Sequence, residues 1–175
     1  MTYSNLPHFN SINKYQFITF RTADSVDKFV KDLQDSELSD SQKQIQIDEY
    51  SDTSNLGAHL KNSVLLTLRS YILSLDKDLY NLVCFSIMPN HVHMLFQQKT
   101  SLSSILQIVK GGSAVLINKQ LKKQGKFWAI GYYDRWIRNQ KHFEVVYEYI
   151  QNNPIIAHLK DSHTRFYGIY DNELN

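Results

Sequence analysis

Cysteine is nearly absent. Cys84 is the one cysteine in 175 residues, which excludes a disulfide framework and a multi-cysteine zinc site. Three prolines and six glycines exclude a collagenous or linker-like chain. No apolar run approaches the ~18 residues a membrane span needs, so no membrane partner is expected. The first residues, Met1-Thr-Tyr-Ser-Asn-Leu-Pro7, lack the basic and apolar regions of a secretion signal, and a reducing, cytoplasmic setting is expected. Charge of one sign is not in excess either: 19 basic against 17 acidic side chains leaves +2. What is there is ordinary globular composition, 42% hydrophobic and 21% charged. The length suits one domain at roughly 100–200 residues per domain, and residues 1–175 show no linker and no internal repeat.

The charge is unevenly placed. Residues 24–52 hold nine acidic and three basic side chains, a balance of −6. Residues 99–141 hold nine basic side chains and one acidic, Asp134, a balance of +8. Such asymmetry fits a polyanion partner for the basic half and equally a solvated basic helix face.

Periodicity gives the elements. Residues 15–22 alternate and are aromatic and β-branched, as a strand is. Val26, Phe29, Val30 and Leu33 predict a helix over 24–35, and the Ser-, Asp- and Gln-rich stretch 36–56 a weak helix flanked by loop. Leu60, Val64, Leu65, Leu68, Ile72 and Leu75 predict an amphipathic helix over 57–75. Residues 79–87 and 91–97 read as strands joined by the turn Met88-Pro89-Asn90. Ser101 or Ser103 can cap a helix running to about Lys123, with a bend expected at Gly111-Gly112, where each Gly costs roughly 1 kcal/mol against Ala. A short strand within 127–138 and a helix from His142 to Asn152, stopped before Pro154, complete the order. Hairpins interspersed with helices indicate an α+β domain on a mainly antiparallel sheet.

Three features carry chemistry. His91-Val92-His93 places two imidazoles on one face of a strand, with Cα atoms ~6.5–7 Å apart, able to converge on one divalent cation or simply to meet solvent. In the last long helix, Phe143, Val146, Tyr147 and Ile150 form the buried stripe, and Tyr149 lies on its flank with Asn153 one turn on. Asn153 then either works beside that phenol or merely ends the helix. The stretch Phe127 to Arg138 interleaves aromatics with arginine, suiting base stacking plus phosphate contact, or an aromatic core with snorkelling arginines.

Together, Met88-Pro-Asn-His-Val-His93, Gly131-Tyr-Tyr-Asp-Arg-x-x-Arg138 and Tyr149-Ile-x-x-Asn-Pro154 resemble the single-tyrosine HUH transposases. These are the insertion-sequence-200-like enzymes, and the likeness is greatest to the REP-associated tyrosine transposases. The resemblance covers roughly residues 15–22 and 79–160, and leaves 24–56 as an insertion.

It implies a ferredoxin-like α+β core that cuts and rejoins single-stranded or hairpin DNA. It assigns His91, His93 and Asn153 to a metal, Mg²⁺ or Mn²⁺, and Tyr149 to the nucleophile that becomes 5′-phosphotyrosine. Tyr147-x-x-x-Gln151 also pairs a tyrosine with an amide, but Tyr147 falls on the apolar stripe. A phenol with pKa ~10 is a poor nucleophile at neutral pH, and a divalent cation on the phosphate oxygens aids attack. The sequence identifies no base for Tyr149. Arg21, Lys110, Arg135 and Arg138 are the expected DNA contacts, and monomer and homodimer both stay open. Two alternatives remain: a non-catalytic hairpin-binding regulator derived from a transposase, and an HUH replication-initiator nickase, which typically carries Lys one turn after the tyrosine.

Overall fold

The computed structural model of the protein describes residues 12–171. Strand β1 (Tyr15–Arg21) is followed by α1 (Lys28–Gln34), α2 (Asp40–Thr53) and α3 (Asn62–Ser74). The hairpin β2 (Tyr80–Ile87) and β3 (His91–Gln98) comes next, then α4 (Leu102–Leu121) and β4 (Tyr133–Trp136). The chain ends with α5 (Gln140–Ile156), α6 (Ser162–Arg165) and β5 (Phe166–Gly168). Among the described residues no helix is long and apolar enough to cross a membrane.

The strands form one sheet in the order β4-β1-β3-β2-β5, antiparallel at every step. The first four strands, with α3 and α4 between them in sequence, give the ferredoxin-like α+β core, and β5 extends it beyond β2. Both faces are covered. Ile18, Phe20, Val92, Met94 and Phe96 point into one core with Leu65, Leu68 and Ile72 of α3 and Ile105, Leu106 and Val109 of α4. Phe17, Cys84 and Leu95 point the other way and pack with Val146 and Ile150 of α5. The alternation of β1 and β3 thus separates a dry face from one that carries Thr19, Arg21, His91 and His93.

Several element boundaries differ from expectation for identifiable reasons. The polar stretch forms a firm 14-residue α2, begun by a capping box in which Ser39 and Gln42 satisfy each other's backbone N–H groups. The third helix starts at Asn62 instead of Gly57, whose φ of +66° and close approach to Thr22 and Ser25 favour glycine. Helix α4 runs unbroken through Gly111-Gly112; Gly112 leaves room for the Tyr71 hydroxyl, which a Cβ there would displace. Helix α5 continues through Pro154 to Ile156. Pro154 lies in its last turn, where the missing N–H removes one bond and the carbonyl still accepts from Leu159. The three-residue β5 was too short to show periodicity.

Candidate functional site

The register of β1 on β3 sets Thr19 opposite His93 and Arg21 opposite His91. All four side chains therefore share the face beneath α5, and all are buried. His91 and His93 are fully enclosed, not surface imidazoles on a half-exposed strand.

Their outer nitrogens are held. His93 Nδ1 lies 2.8 Å from Thr19 Oγ1, and His91 Nδ1 lies 2.8 Å from Asn90 Oδ1. The Asn90 carboxamide is oriented by its own Nδ2, which donates to the carbonyls of Ser51, Ser54 and Leu56. Its oxygen can only accept, so His91 carries its proton on Nδ1 and presents a lone pair at Nε2. Asn153 Nδ2 sits 3.3 Å from His93 Nε2, where an amide N–H donates to a lone pair. The two Nε2 atoms approach to 3.1 Å.

With both lone pairs turned inward, the two Nε2 atoms offer a site for something positive between them. A second proton is disfavoured. Burial, then the neighbouring His93 and Arg21, holds the His91 imidazole well below its ordinary value. Burial lowers His93 to about 4 against the opposing charge of Asp48. A divalent cation fits better, and two further atoms agree with it. Asn153 Oδ1 and Asp52 Oδ1 are buried with no hydrogen-bond partner, and Asp52 Oδ1 lies 3.7 Å from His91 Nε2. Burial, then Asp48 and Glu49, raises the Asp52 carboxyl to about 7. Asp48, His91 and His93 offer ligand atoms within 4.8 Å of one another, an arrangement that could hold a metal ion.

Helix α5 brings the remaining groups. Asn153 is buried and Tyr149 is 38% exposed, its ring edge-on to Phe17 and His93. The Tyr149 hydroxyl points inward and donates to Asp48 Oδ2 at 2.9 Å. Burial, then the charge of Asp48, keeps that phenol protonated far above its ordinary range. Tyr147 packs against the second core and donates instead to Asp171.

The expected DNA contacts divide. Arg135 and Arg138 are exposed, on and just after the edge strand β4. Arg21 is buried, with Nη1 on Ser51 Oγ at 3.2 Å and Nη2 3.5 Å from Asp48. Lys110 is half-buried and donates to the carbonyls of Ala129 and Gly131, so it ties α4 to the loop before β4. Phe127, Trp128 and Tyr133 are core residues, and Trp128 Nε1 donates to Ser113. A cleft of about 680 Å³ opens beside the site, lined by Thr19, Arg21, Lys31, Lys126 and Tyr132.

Sequence reasoning missed Asp48, Asp52, Asn90 and Thr19 as members of the site. The strand pairing would have supplied Thr19. Asp48 belongs to a buried, largely polar stripe on α2, Gln44, Ile47, Asp48 and Ser51, whose spacing is helical although its hydrophobicity is not.

A family model described as "Transposase IS200 like" matches residues 55–153. An uncharacterized protein of Haemophilus influenzae is 32% identical over an aligned region that covers 41% of this chain and 53% of that protein. The chain thus spans about half the length of that curated relative. Among solved structures, a REP-associated tyrosine transposase bound to a REP hairpin superposes with a TM-score of 0.58 at 15% identity, covering 87% of this chain and 73% of its own. A Deinococcus radiodurans crystal structure described as a transposase covers 87% of this chain and 98% of its own at 15% identity, with a TM-score of 0.47.

Proposed function

The chain belongs to the IS200-like transposase family, and on that premise we propose that it cleaves and rejoins single-stranded DNA beside hairpins through a 5′-phosphotyrosine at Tyr149. The observation that carries this reading is the convergence of His91 Nε2 and His93 Nε2 at 3.1 Å, under a helix that presents Tyr149 and Asn153. His91, His93 and Asn153 would hold the cation. When bound, Mg²⁺ or Mn²⁺ supplies Lewis-acid withdrawal of charge from the scissile phosphate. Imidazole donors favour Mn²⁺ over Mg²⁺, which prefers oxygen.

The chain's own residues do the rest. Asn90 fixes the His91 imidazole in the tautomer that presents Nε2 inward, and Thr19 holds the orientation of the His93 ring. Tyr149 attacks phosphorus, forming a phosphotyrosine and releasing a 3′ hydroxyl. Attack by another 3′ hydroxyl reverses the step, so strand transfer needs no ATP. Arg135 and Arg138 would bind the flanking backbone, and the cleft lined by Lys31, Lys126 and Tyr132 offers room for unpaired nucleotides. We read the described residues as one HUH domain in which α1 and α2 form an insertion.

The test is adduct trapping. The protein is mixed with a labelled oligonucleotide carrying a hairpin and a single-stranded flank, plus Mn²⁺, and run on a denaturing gel. A covalent band that maps to Tyr149 supports the reading. Tight hairpin binding with no adduct would replace it with the non-catalytic regulator.

A further inference from the structure

Attack by Tyr149 needs its proton to go somewhere, and the geometry points to Asp48 as the catalytic residue that accepts it. This inference rests on the transposase reading of the site. The Asp48 carboxylate is buried, and its two oxygens have separate duties. Oδ1 receives Gln44 Nε2 at 2.7 Å and faces Arg21 Nη2 at 3.5 Å. Oδ2 receives the Tyr149 hydroxyl at 2.9 Å. Gln44 and Arg21 therefore fix the carboxylate while the second oxygen stays on the nucleophile, which is the geometry a general base requires.

Asn153, Asp52 and Asp48 are the candidates for further metal ligands, and hydrogen bonding separates Asp48 from the other two. Asn153 Oδ1 and Asp52 Oδ1 are buried with no hydrogen-bond partner, as atoms awaiting a cation are. Both oxygens of Asp48 are already engaged by protein groups.

The step balances simply. The Tyr149 O–H bond breaks, its proton passes to Asp48 Oδ2, and the phenolate oxygen bonds to phosphorus. The P–O3′ bond breaks, and the departing 3′ oxygen takes a proton from solvent. In religation the 3′ hydroxyl loses that proton, and the tyrosine oxygen regains its own from Asp48.

Asp48 lies on α2, in the 24–56 segment and ahead of residues 55–153 that the family model matches. The base thus comes from the acidic segment ahead of the matched region, which gives that segment a catalytic purpose.

The experiment uses the full-length chain with the hairpin oligonucleotide and Mn²⁺, in four forms: wild type, Asp48→Asn, wild type with a trifluorinated tyrosine at position 149, and both changes together. A fluorinated phenol ionises near neutral pH and needs no base. Asp48→Asn is expected to slow adduct formation by about 100-fold or more. The fluorinated tyrosine should restore the Asp48→Asn rate to within about tenfold of wild type, with Mn²⁺ affinity by titration calorimetry unchanged. A loss of rate under about threefold, or a slow variant that the fluorinated tyrosine does not rescue, overturns the assignment. Loss of Mn²⁺ binding overturns it too and makes Asp48 a ligand. Should Asp48→Asn leave Arg21 unbalanced and unfold, Asp48→Asn with Arg21→Gln takes its place under the same criteria. If wild type itself forms no adduct, the transposase reading fails instead, so the two failures are distinct.

Discussion

Asn90 Oδ1 accepts the Nδ1 proton of His91 at 2.8 Å, while the same carboxamide's Nδ2 reaches three carbonyls of the chain leaving α2. One side chain therefore sets an imidazole tautomer and pins the end of α2 to the sheet. Asn90→Ala is expected to weaken Mn²⁺ binding by roughly 10- to 100-fold, the usual effect of losing a partner behind a metal-binding histidine. It should also lower the unfolding free energy by about 1–3 kcal/mol, since buried carbonyls lose their donors. Calorimetric titration with Mn²⁺ and denaturant unfolding check the two effects separately. Unchanged Mn²⁺ affinity would remove Asn90 from the site.

Gly111 and Gly112 are expected to respond oppositely to alanine. A Cβ at Gly111 meets nothing within 4 Å, so Gly111→Ala should stabilise by about 0.5–1 kcal/mol through helix propensity. A Cβ at Gly112 would overlap the Tyr71 hydroxyl, which donates to the Ile108 carbonyl. Gly112→Ala must displace that ring and should show no gain or a loss. Thermal unfolding of both variants is the measurement, and equal stabilisation would contradict the tight packing.

The sequence made legible those parts of the site that obey a period. Alternation placed His91 and His93 on the face opposite Val92, Met94 and Phe96, and the stripe Phe143, Val146, Ile150 separated Tyr147 from Tyr149. It could not show α2 closing over the site, because that helix buries Gln44, Asp48 and Ser51 with only Ile47 as an apolar member. A buried carboxylate gives no hydrophobic signal; its burial depends on Arg21 and Tyr149, 27 and 101 positions away in sequence. Lys110 shows the same limit from the other side. Its positive charge suggested phosphate, whereas the fold directs it to two backbone carbonyls.

Lys110 also predicts a pH effect. Burial, then the charge of Lys126, lowers its ammonium from 10.5 to about 8. Between those values the unfolded chain binds more protons at this group than the folded one, so its contribution to stability rises with pH. Lys110→Met removes the titration. The stability of wild type relative to that variant should therefore increase from about pH 7 to about pH 9.5, by on the order of 1–2 kcal/mol. Denaturant midpoints of both proteins at the two pH values give the difference. A difference independent of pH would show that the ammonium titrates normally.

Arg135 and Arg138 are exposed, and both charges help lower the His142 imidazole after burial does. They are the expected phosphate partners, so binding of a single-stranded oligonucleotide should fall steeply with salt. Each phosphate no longer neutralised should reduce the log–log slope by about 0.7. Arg135→Gln with Arg138→Gln is therefore expected to flatten the slope by roughly 1.4. Fluorescence anisotropy across a salt series tests this, and an unchanged slope would place the DNA elsewhere.

The two tyrosines of α5 give the sharpest contrast. Tyr149 sets its hydroxyl on Asp48 beside the imidazoles, and Tyr147 sets its own on Asp171 at 3.2 Å, packed against Phe166 and Tyr170. Tyr149→Phe should abolish the covalent adduct and preserve the fold and hairpin binding. It removes one hydroxyl and leaves the ring against Phe17 and His93. Tyr147→Phe should keep the adduct and lower stability by about 1 kcal/mol, the worth of one ordinary hydrogen bond. Tyr147 cannot substitute for Tyr149, because its ring is held in the second core and its hydroxyl bonds to Asp171, not to Asp48. Mass spectrometry of the trapped complex decides the point. A nucleotide on Tyr147, or an adduct surviving in Tyr149→Phe, would move the nucleophile off the flank of α5 and with it the role of Asp48.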